Sequence, residues 1–226
     1  MKKYRKREGV FVAEGPKVVG DLLRAGFCAR CLYATQGWEW ERQELPCQEV
    51  TEDELRKISF LQHPQQVLGV FETPVAQQVP STPLSLALDG VQDPGNLGTI
   101  IRIADWFGIG TVYCSEDTAD AWNPKVVQAT MGSIARVNVV YTDLEKLIQD
   151  AQVPVYGTLL DGKNMYEQEL TKEGIIIMGN EGNGISERIR KLITRRLLIP
   201  QYHVGAESLN VAIATAVVCA EFRRRS

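Results

Sequence analysis

From residue 84 onward, apolar runs without polar alternation recur between helical patterns, and nothing else in the chain limits the fold as much. LSLALDGV, TVYCS, RVNVVY, VPVYGTLL, GIIIMGN and RLLIPQ read as strands. GTIIRIADWF, NPKVVQATMG, DLEKLIQDA, SERIRKLI and a segment beginning near residue 206 read as helices. A strand that is apolar throughout has no face for water, so the pattern predicts a mostly parallel sheet with helices on both sides. In such sheets ligands bind beyond the carboxyl ends of the strands.

Residues 1–72 read as a smaller α/β unit. Gly15-Pro16 opens a helical pattern through Val18, Val19, Leu22 and Leu23, and Gly26 follows its end. CLYAT and QQVLGVFE are strand candidates. TEDELRKI carries Thr51 and Glu54 at capping-box spacing. TPVAQQVPSTP, residues 73–83, holds three prolines and little that could pack, which makes it the linker candidate. The expected division is 1–72, 73–83 and 84–226.

The chain carries a net charge of −3, yet Lys2, Lys3, Arg5, Lys6 and Arg7 crowd its start and Arg223, Arg224 and Arg225 its end. Basic ends on an acidic protein can hold a polyanion locally. From charge alone, solvated, frayed termini are the simpler reading. No apolar run approaches the ~20 residues a membrane span needs. Glu14 and Gly15 break the only apolar stretch near the start, so neither a signal peptide nor a membrane partner is expected. Five cysteines, an odd number without framework spacing, suit a reducing cytosol.

Three loops at expected strand ends are polar and glycine-rich. In LDGVQDPGNLGTIIRIA, Asp93 to Asn96 form a tight turn and Gly98 admits a close neighbour. Arg102 stands among Ile100, Ile101, Ile103 and Ala104; buried there, it would need either a structural ion pair or a ligand. In IIIMGNEGNGIS, Glu181 lies among glycines, and Ser186 is placed to cap the next helix. The loop lacks the Gly-Lys-Ser/Thr of a Walker A motif. Glu187 occupies the position where a dinucleotide fingerprint needs its third glycine. In LLIPQYHVGAESLNVAIATA, Ser208 or Asn210 could cap the last helix. Glu207, Ser208 and Asn210 together exceed what capping needs.

Other constellations carry less. Cys28 and Cys31 form one CxxC pair without a second at zinc spacing, and two histidines cannot build a histidine metal centre, so no metal is expected. No GxSxG elbow occurs. The four tryptophans suit core or interface positions.

The three loops, in this order, resemble the motifs of the SpoU (TrmH-like) family of RNA ribose 2′-O-methyltransferases. The matching segments are Asn96-Leu-Gly98-Thr-Ile-Ile-Arg102, Met178-Gly179-Asn180-Glu181-Gly182, and Ile199-Pro200 followed by Glu207-Ser208-Leu209-Asn210-Val211. The resemblance spans about residues 84–222. KYRKREGVFVAEGPKVV and HPQQVLGVF are also similar to the family's small amino-terminal substrate-binding domain.

This resemblance implies an α/β fold whose carboxyl-terminal segment threads a deep trefoil knot, which general topology rules would reject. It also implies S-adenosylmethionine as cofactor, an RNA partner and a homodimer, while the cysteines point to a cytoplasmic location. Leu159, Gly179, Ile199 and Leu209 would line the cofactor, with Gly182, Pro200 and Ser208 close by. Lys2, Lys3, Arg5, Lys6 and Arg7 would contact RNA. Family proposals make Arg102 the base for the 2′-hydroxyl, but an arginine pKa above ~12 suits it better to clamping a phosphate and stabilising the developing alkoxide. Asn96, Glu181, Ser208 and Asn210 would hold the reacting groups in register. Ribosomal RNA, 23S in particular, is the expected substrate. The alternatives are tRNA methylation within the same family and a non-catalytic RNA-binding relative. A nucleotide-dependent oxidoreductase loses its support with the missing third glycine.

Overall fold

The computed structural model describes residues 2–39, 46–74, 82–203, 205 and 207–225. Most of the proposed linker, 75–81, and Trp40 lie outside them.

The first unit runs α1 (Lys2–Glu8), β1 (Val10–Glu14), α2 (Pro16–Arg24), β2 (Ala29–Ala34), β3 (Cys47–Glu49), α3 (Glu52–Ile58) and β4 (Val67–Glu72). Its sheet order is β1-β4-β2-β3, and only β2 and β3 pair in parallel. The capping box on α3 is present: Thr51 Oγ1 accepts from the Glu54 N–H, and the Glu54 carboxylate accepts from the Thr51 N–H at 2.8 Å.

The second unit comprises β5 (Leu84–Asp89), α4 (Pro94–Trp106), β6 (Thr111–Cys114), α5 (Pro124–Ala129), β7 (Asn138–Tyr141) and α6 (Leu144–Gln149). It continues with β8 (Val155–Asn164), β9 (Gly174–Gly179), α7 (Glu187–Arg190), β10 (Arg195–Leu198) and α8 (Val211–Arg224). The six strands are parallel in the order β10-β8-β9-β5-β6-β7. Every residue of the central pair, β5 and β9, is buried. Leu86 and Leu88 pack with Leu97, Ile101, Val218 and Phe222 of α4 and α8. On the other face Ala87, Ile175 and Ile177 meet Leu144, Ile148 and Ile189 of α6 and α7. These two-sided contacts are why the strands carry no polar alternation.

A third cluster joins the units. Phe11, Val19, Leu22 and Phe71 pack with Val127 and Ile134 of the second unit, and the Phe11 and Trp122 rings lie 4.5 Å apart. Polar ties reinforce the seam. Arg5 pairs with Asp120 at 2.7 Å, Lys17 Nζ donates to the Met131 carbonyl at 2.8 Å, and Arg136 reaches Asp21 at 3.4 Å and Asp105 at 2.8 Å.

The termini correct the frayed reading. Residues 2–8 form α1, although KKYRKRE has no apolar stripe, and the largely buried Arg5 anchors it. Arg223 donates to the Phe107 and Gly108 carbonyls, where α4 ends. Arg225 pairs with Glu221 and donates to the carbonyls of Tyr166 and Gln168. Arg224 first, against the cost of burial, and then Arg225 hold the Glu221 carboxyl down at about 2. The last helix starts at Val211 rather than near 206. No helix among the described residues is long and apolar enough to cross a membrane.

Candidate active site

The three polar loops meet at the carboxyl edge of the parallel sheet. The first leaves β5. Asp89 there accepts from the Ser186 N–H at 2.7 Å, and Asp93 caps α4 by accepting from the Asn96 N–H at 2.8 Å, with Pro94 in the first turn.

The second leaves β9 and folds back at once. Asn180 and Gly184 exchange backbone hydrogen bonds at 2.9 Å, and Asn180 Oδ1 accepts from Gly182 and Asn183. A Cβ on Gly179 would lie 2.2 Å from the Gly184 carbonyl carbon, so only glycine permits this turn. Asn180 Nδ2 donates to the Gly90 carbonyl at 2.7 Å and ties the turn to the first loop.

The turn carries Glu181 onto the start of α4. Its carboxylate accepts from the Gln92 N–H at 3.1 Å, the Asp93 N–H at 3.0 Å and Asn96 Nδ2 at 3.1 Å. Partial burial alone would raise this carboxyl. The hydrogen bonds from Asn96 and the backbone outweigh it and hold the pKa below the ordinary value.

The third loop closes the chain of contacts. Asn210 Nδ2 donates to Asn96 Oδ1 at 2.9 Å, while Asn210 Oδ1 accepts from the Ala212 and Ile213 N–H groups and caps α8. One asparagine therefore both caps a helix and joins the relay Glu181–Asn96–Asn210. Glu207 and Ser208 are exposed beside it.

Arg102 corrects an expectation. It is exposed rather than buried, and among the described residues it has no ion pair. The buried side of α4 is Leu97, Ile100, Ile101 and Ala104, and Arg102 projects opposite, on one stripe with Thr99 and Trp106. It lies about 9 Å along the helix axis from Asn96, outside the relay. Ser186 stands at the N-cap of α7, but its hydroxyl makes no capping bond.

The cofactor candidates fall on adjacent strand ends. Leu159 on β8 lies two residues past the last position paired with β9, level with Gly179 where β9 ends. Ile199 and Pro200 follow β10, the other neighbour of β8. A Cβ on Gly162 would meet the Leu197 carbonyl carbon at 2.5 Å, so β8 and β10 run together unusually closely here. Half-exposed Leu209 precedes α8, and Gly182 sits in the exposed turn. Apolar side chains at the ends of adjacent strands fit a ligand with an apolar arm. No group of three or more metal-ligating side chains occurs among the described residues.

Of the basic amino-terminal residues, Arg5 is committed to Asp120, Arg7 pairs with Glu8 and lies 5.1 Å from the Tyr4 ring centroid, and Lys3 and Lys6 are exposed. Lys2 belongs to α1, and its side chain lies outside the described residues. Asp89 and Asn180 were missed by sequence reasoning. The DG pair after an apolar run marked Asp89, but nothing local revealed their cross-loop partners.

Comparison with known proteins places this geometry. The model of the SpoU rRNA Methylase family matches residues 83–220, and that of the MRM3-like substrate binding domain matches residues 1–69. The 23S rRNA (guanosine(2553)-2′-O)-methyltransferase RlmP of Bacillus subtilis is 32% identical over 229 residues, covering 98% of this chain and 92% of the relative. A structure from Porphyromonas gingivalis assigned to the TrmH family of RNA methyltransferases superimposes with a TM-score of 0.91 at 42% identity, covering 100% of this chain and 94% of that one. An AdoMet-bound rRNA methyltransferase from Sinorhizobium meliloti gives 0.86 at 32% identity, covering 100% and 91%.

Proposed function

The chain belongs to the SpoU rRNA Methylase family, S-adenosylmethionine-dependent RNA ribose 2′-O-methyltransferases, and we propose that its substrate is 23S rRNA. The observation that carries this substrate is the likeness to a 23S rRNA methyltransferase over 98% of this chain. The Glu181–Asn96–Asn210 relay, which fastens three loops into one composite site at the sheet edge, supports the site. S-adenosylmethionine supplies, when bound, an electrophilic methyl group on a sulfonium. Leu159, Gly179, Ile199 and Leu209 would hold it, with Gly182, Pro200 and Ser208 at its margin.

The residues of this chain have three tasks. Glu181 keeps the start of α4 fixed through two backbone N–H groups and Asn96. Asn210 ties that fixed point to the loop carrying Ser208 and Leu209, so the ribose hydroxyl meets an aligned methyl carbon; such alignment is worth up to roughly 7–11 kcal/mol. Arg102, exposed and without an ion pair among the described residues, is placed to clamp the adjacent phosphate and stabilise the alkoxide as the hydroxyl loses its proton.

Further parts of the reading rest on the family. The carboxyl-terminal segment forms a deep trefoil knot; in support, β10 lies at the sheet edge while α8 returns to pack on α4 and β9. Two copies associate through the α4–α8 face, where Trp106 is 85% and Ile213 55% exposed. The chain divides into a substrate-binding unit, 1–72, a linker, 73–83, and a catalytic unit, 84–226. The proposed location is the cytoplasm, supported by five cysteines without framework spacing. Lys3 and Lys6, with Lys2 and Arg7, contact phosphates. Replacing Lys3 and Lys6 by alanine should lower the salt slope of RNA binding by about 1–2, and an unchanged slope would remove them from the interface.

Mass-spectrometric mapping of 2′-O-methyl sites in total RNA from wild-type and deletion cells tests the assignment. A site lost from 23S rRNA supports it. A site lost from tRNA moves the substrate, and no lost site favours a non-catalytic relative.

A further inference from the structure

A groove of about 310 Å³ opens on the seam between the two units, away from the three loops. Val12 and Glu14 of β1, with Phe60 and Leu61 after α3, form one side, and Pro124, Lys125, Gln128 and Ala129 of α5 form the other. Its volume is at the lower end of the ~300–1,000 Å³ of small-ligand sites.

Three features limit what it can hold. Phe60 is 63% exposed, an aromatic face left to solvent at the rim. Glu14 is buried and accepts from the Ser59 hydroxyl and, at 2.9 Å, from the Phe60 N–H, which fixes the turn that presents the ring. Each carboxylate oxygen has two lone pairs, so acceptor capacity remains. Exposed Lys125 has no ion pair among the described residues. An apolar peptide would leave the Glu14 charge buried without new partners, and a bare phosphate would be repelled by it. A nucleobase satisfies all three groups: its π-face stacks on Phe60, its N–H groups donate to Glu14, and its phosphate meets Lys125.

The groove also connects physically to the candidate active site. Ala129 on its wall packs against Gly98 of α4, two residues beyond Asn96. The loop leading into α5 is bonded to the first site loop, with the Gly90 N–H donating to Ser115 Oγ and the Ala119 N–H to the Val91 carbonyl, both at 2.9 Å. The α4–α5 contact at Gly98 and Ala129 thus links the groove wall to the helix that carries Asn96.

We propose that this interdomain groove holds one unstacked nucleobase of the RNA substrate, stacked on Phe60 and read by Glu14. The proposal rests on the RNA reading above and adds a subsite to it. Fluorescence anisotropy of the full chain with short fluorescein-labelled single-stranded oligomers of A, C, U and mixed G-containing sequence tests it. Phe60→Ala should weaken binding of every oligomer about ten-fold with S-adenosylmethionine affinity unchanged, and Phe60→Trp should restore most of the loss. Glu14→Gln should shift the order of base preference, since an amide donates as well as accepts. Wild-type RNA affinity in Phe60→Ala, or a matching loss of S-adenosylmethionine affinity, overturns the stacking site. An unchanged base order in Glu14→Gln overturns the reading by Glu14. Absence of RNA binding by the wild-type chain overturns the RNA reading itself.

Discussion

Gly98→Ala separates a local effect from a tertiary one. Gly98 lies within α4, and in an exposed helix the change to alanine would stabilise by ~1 kcal/mol. Here the new Cβ would stand 2.4 Å from Ala129 Cβ and 2.8 Å from the Val126 carbonyl oxygen. Carbon atoms normally approach to ~3.5–4.0 Å, so α5 must retreat by about 1 Å. Neither obstacle is the tip of a flexible side chain, which places the cost near the upper end of the ~1–3 kcal/mol for overpacking. Subtracting the helix gain leaves a net loss of about 2 kcal/mol. At ~2–4 °C per kcal/mol for a chain of this size, Tm should fall by about 4–8 °C. Turnover should fall as well, because Asn96 sits two residues from Gly98 on α4, at the contact that must open. Thermal unfolding followed by circular dichroism, with exposed Thr99→Ala as control, measures the first quantity and methyl transfer to rRNA the second. A Tm equal to or above wild type would refute the close-approach argument.

Arg102→Ala should lower methyl transfer by about 100-fold or more with stability within about 0.5 kcal/mol; near-wild-type turnover would remove Arg102 from the chemistry. The Glu181 carboxyl is held below its ordinary pKa, so its stabilisation is present above the unfolded value and is lost as pH falls through the folded one. Glu181→Gln should therefore cost about 1 kcal/mol at neutral pH, with the difference from wild type vanishing in acid; denaturant titrations showing a pH-independent difference would contradict this. Breaking the Arg5–Asp120 pair should cost about 2 kcal/mol, and the double-mutant cycle should show coupling, whereas additive losses would mean that the pair contributes nothing.

The parallel sheet was legible because strands covered on both faces must be apolar throughout, as β5 and β9 are. The α3 capping box was legible because caps are local, and the cap of α8 was narrowed to Ser208 or Asn210, of which Asn210 caps. Arg102 was misjudged by reading its immediate neighbours instead of the spacing of Leu97, Ile100, Ile101 and Ala104, which already places it on the opposite side of α4. The α1 helix escaped because its anchor, Asp120, lies 115 residues away. Strand β1 was also missed, although its alternating burial is visible once β4 is known to pair with it. Glu181 stood out among glycines, but its partners did not, since they belong to a loop some 88 residues earlier. Local chemistry was readable, and pairings across the sheet edge were not.

The cluster of Phe11, Phe71, Trp122, Val127 and Ile134 also bears on how such chains can recombine. A unit tethered only by a flexible linker can be exchanged between proteins as an independent module. Here the first unit shares its core with the second, so transplanting it onto another partner unit exposes aromatic surface unless the host supplies a matching Trp122–Val127–Ile134 face. Exchange of either unit therefore requires matched changes at Phe11, Phe71, Trp122, Val127 and Ile134, on both sides of the seam.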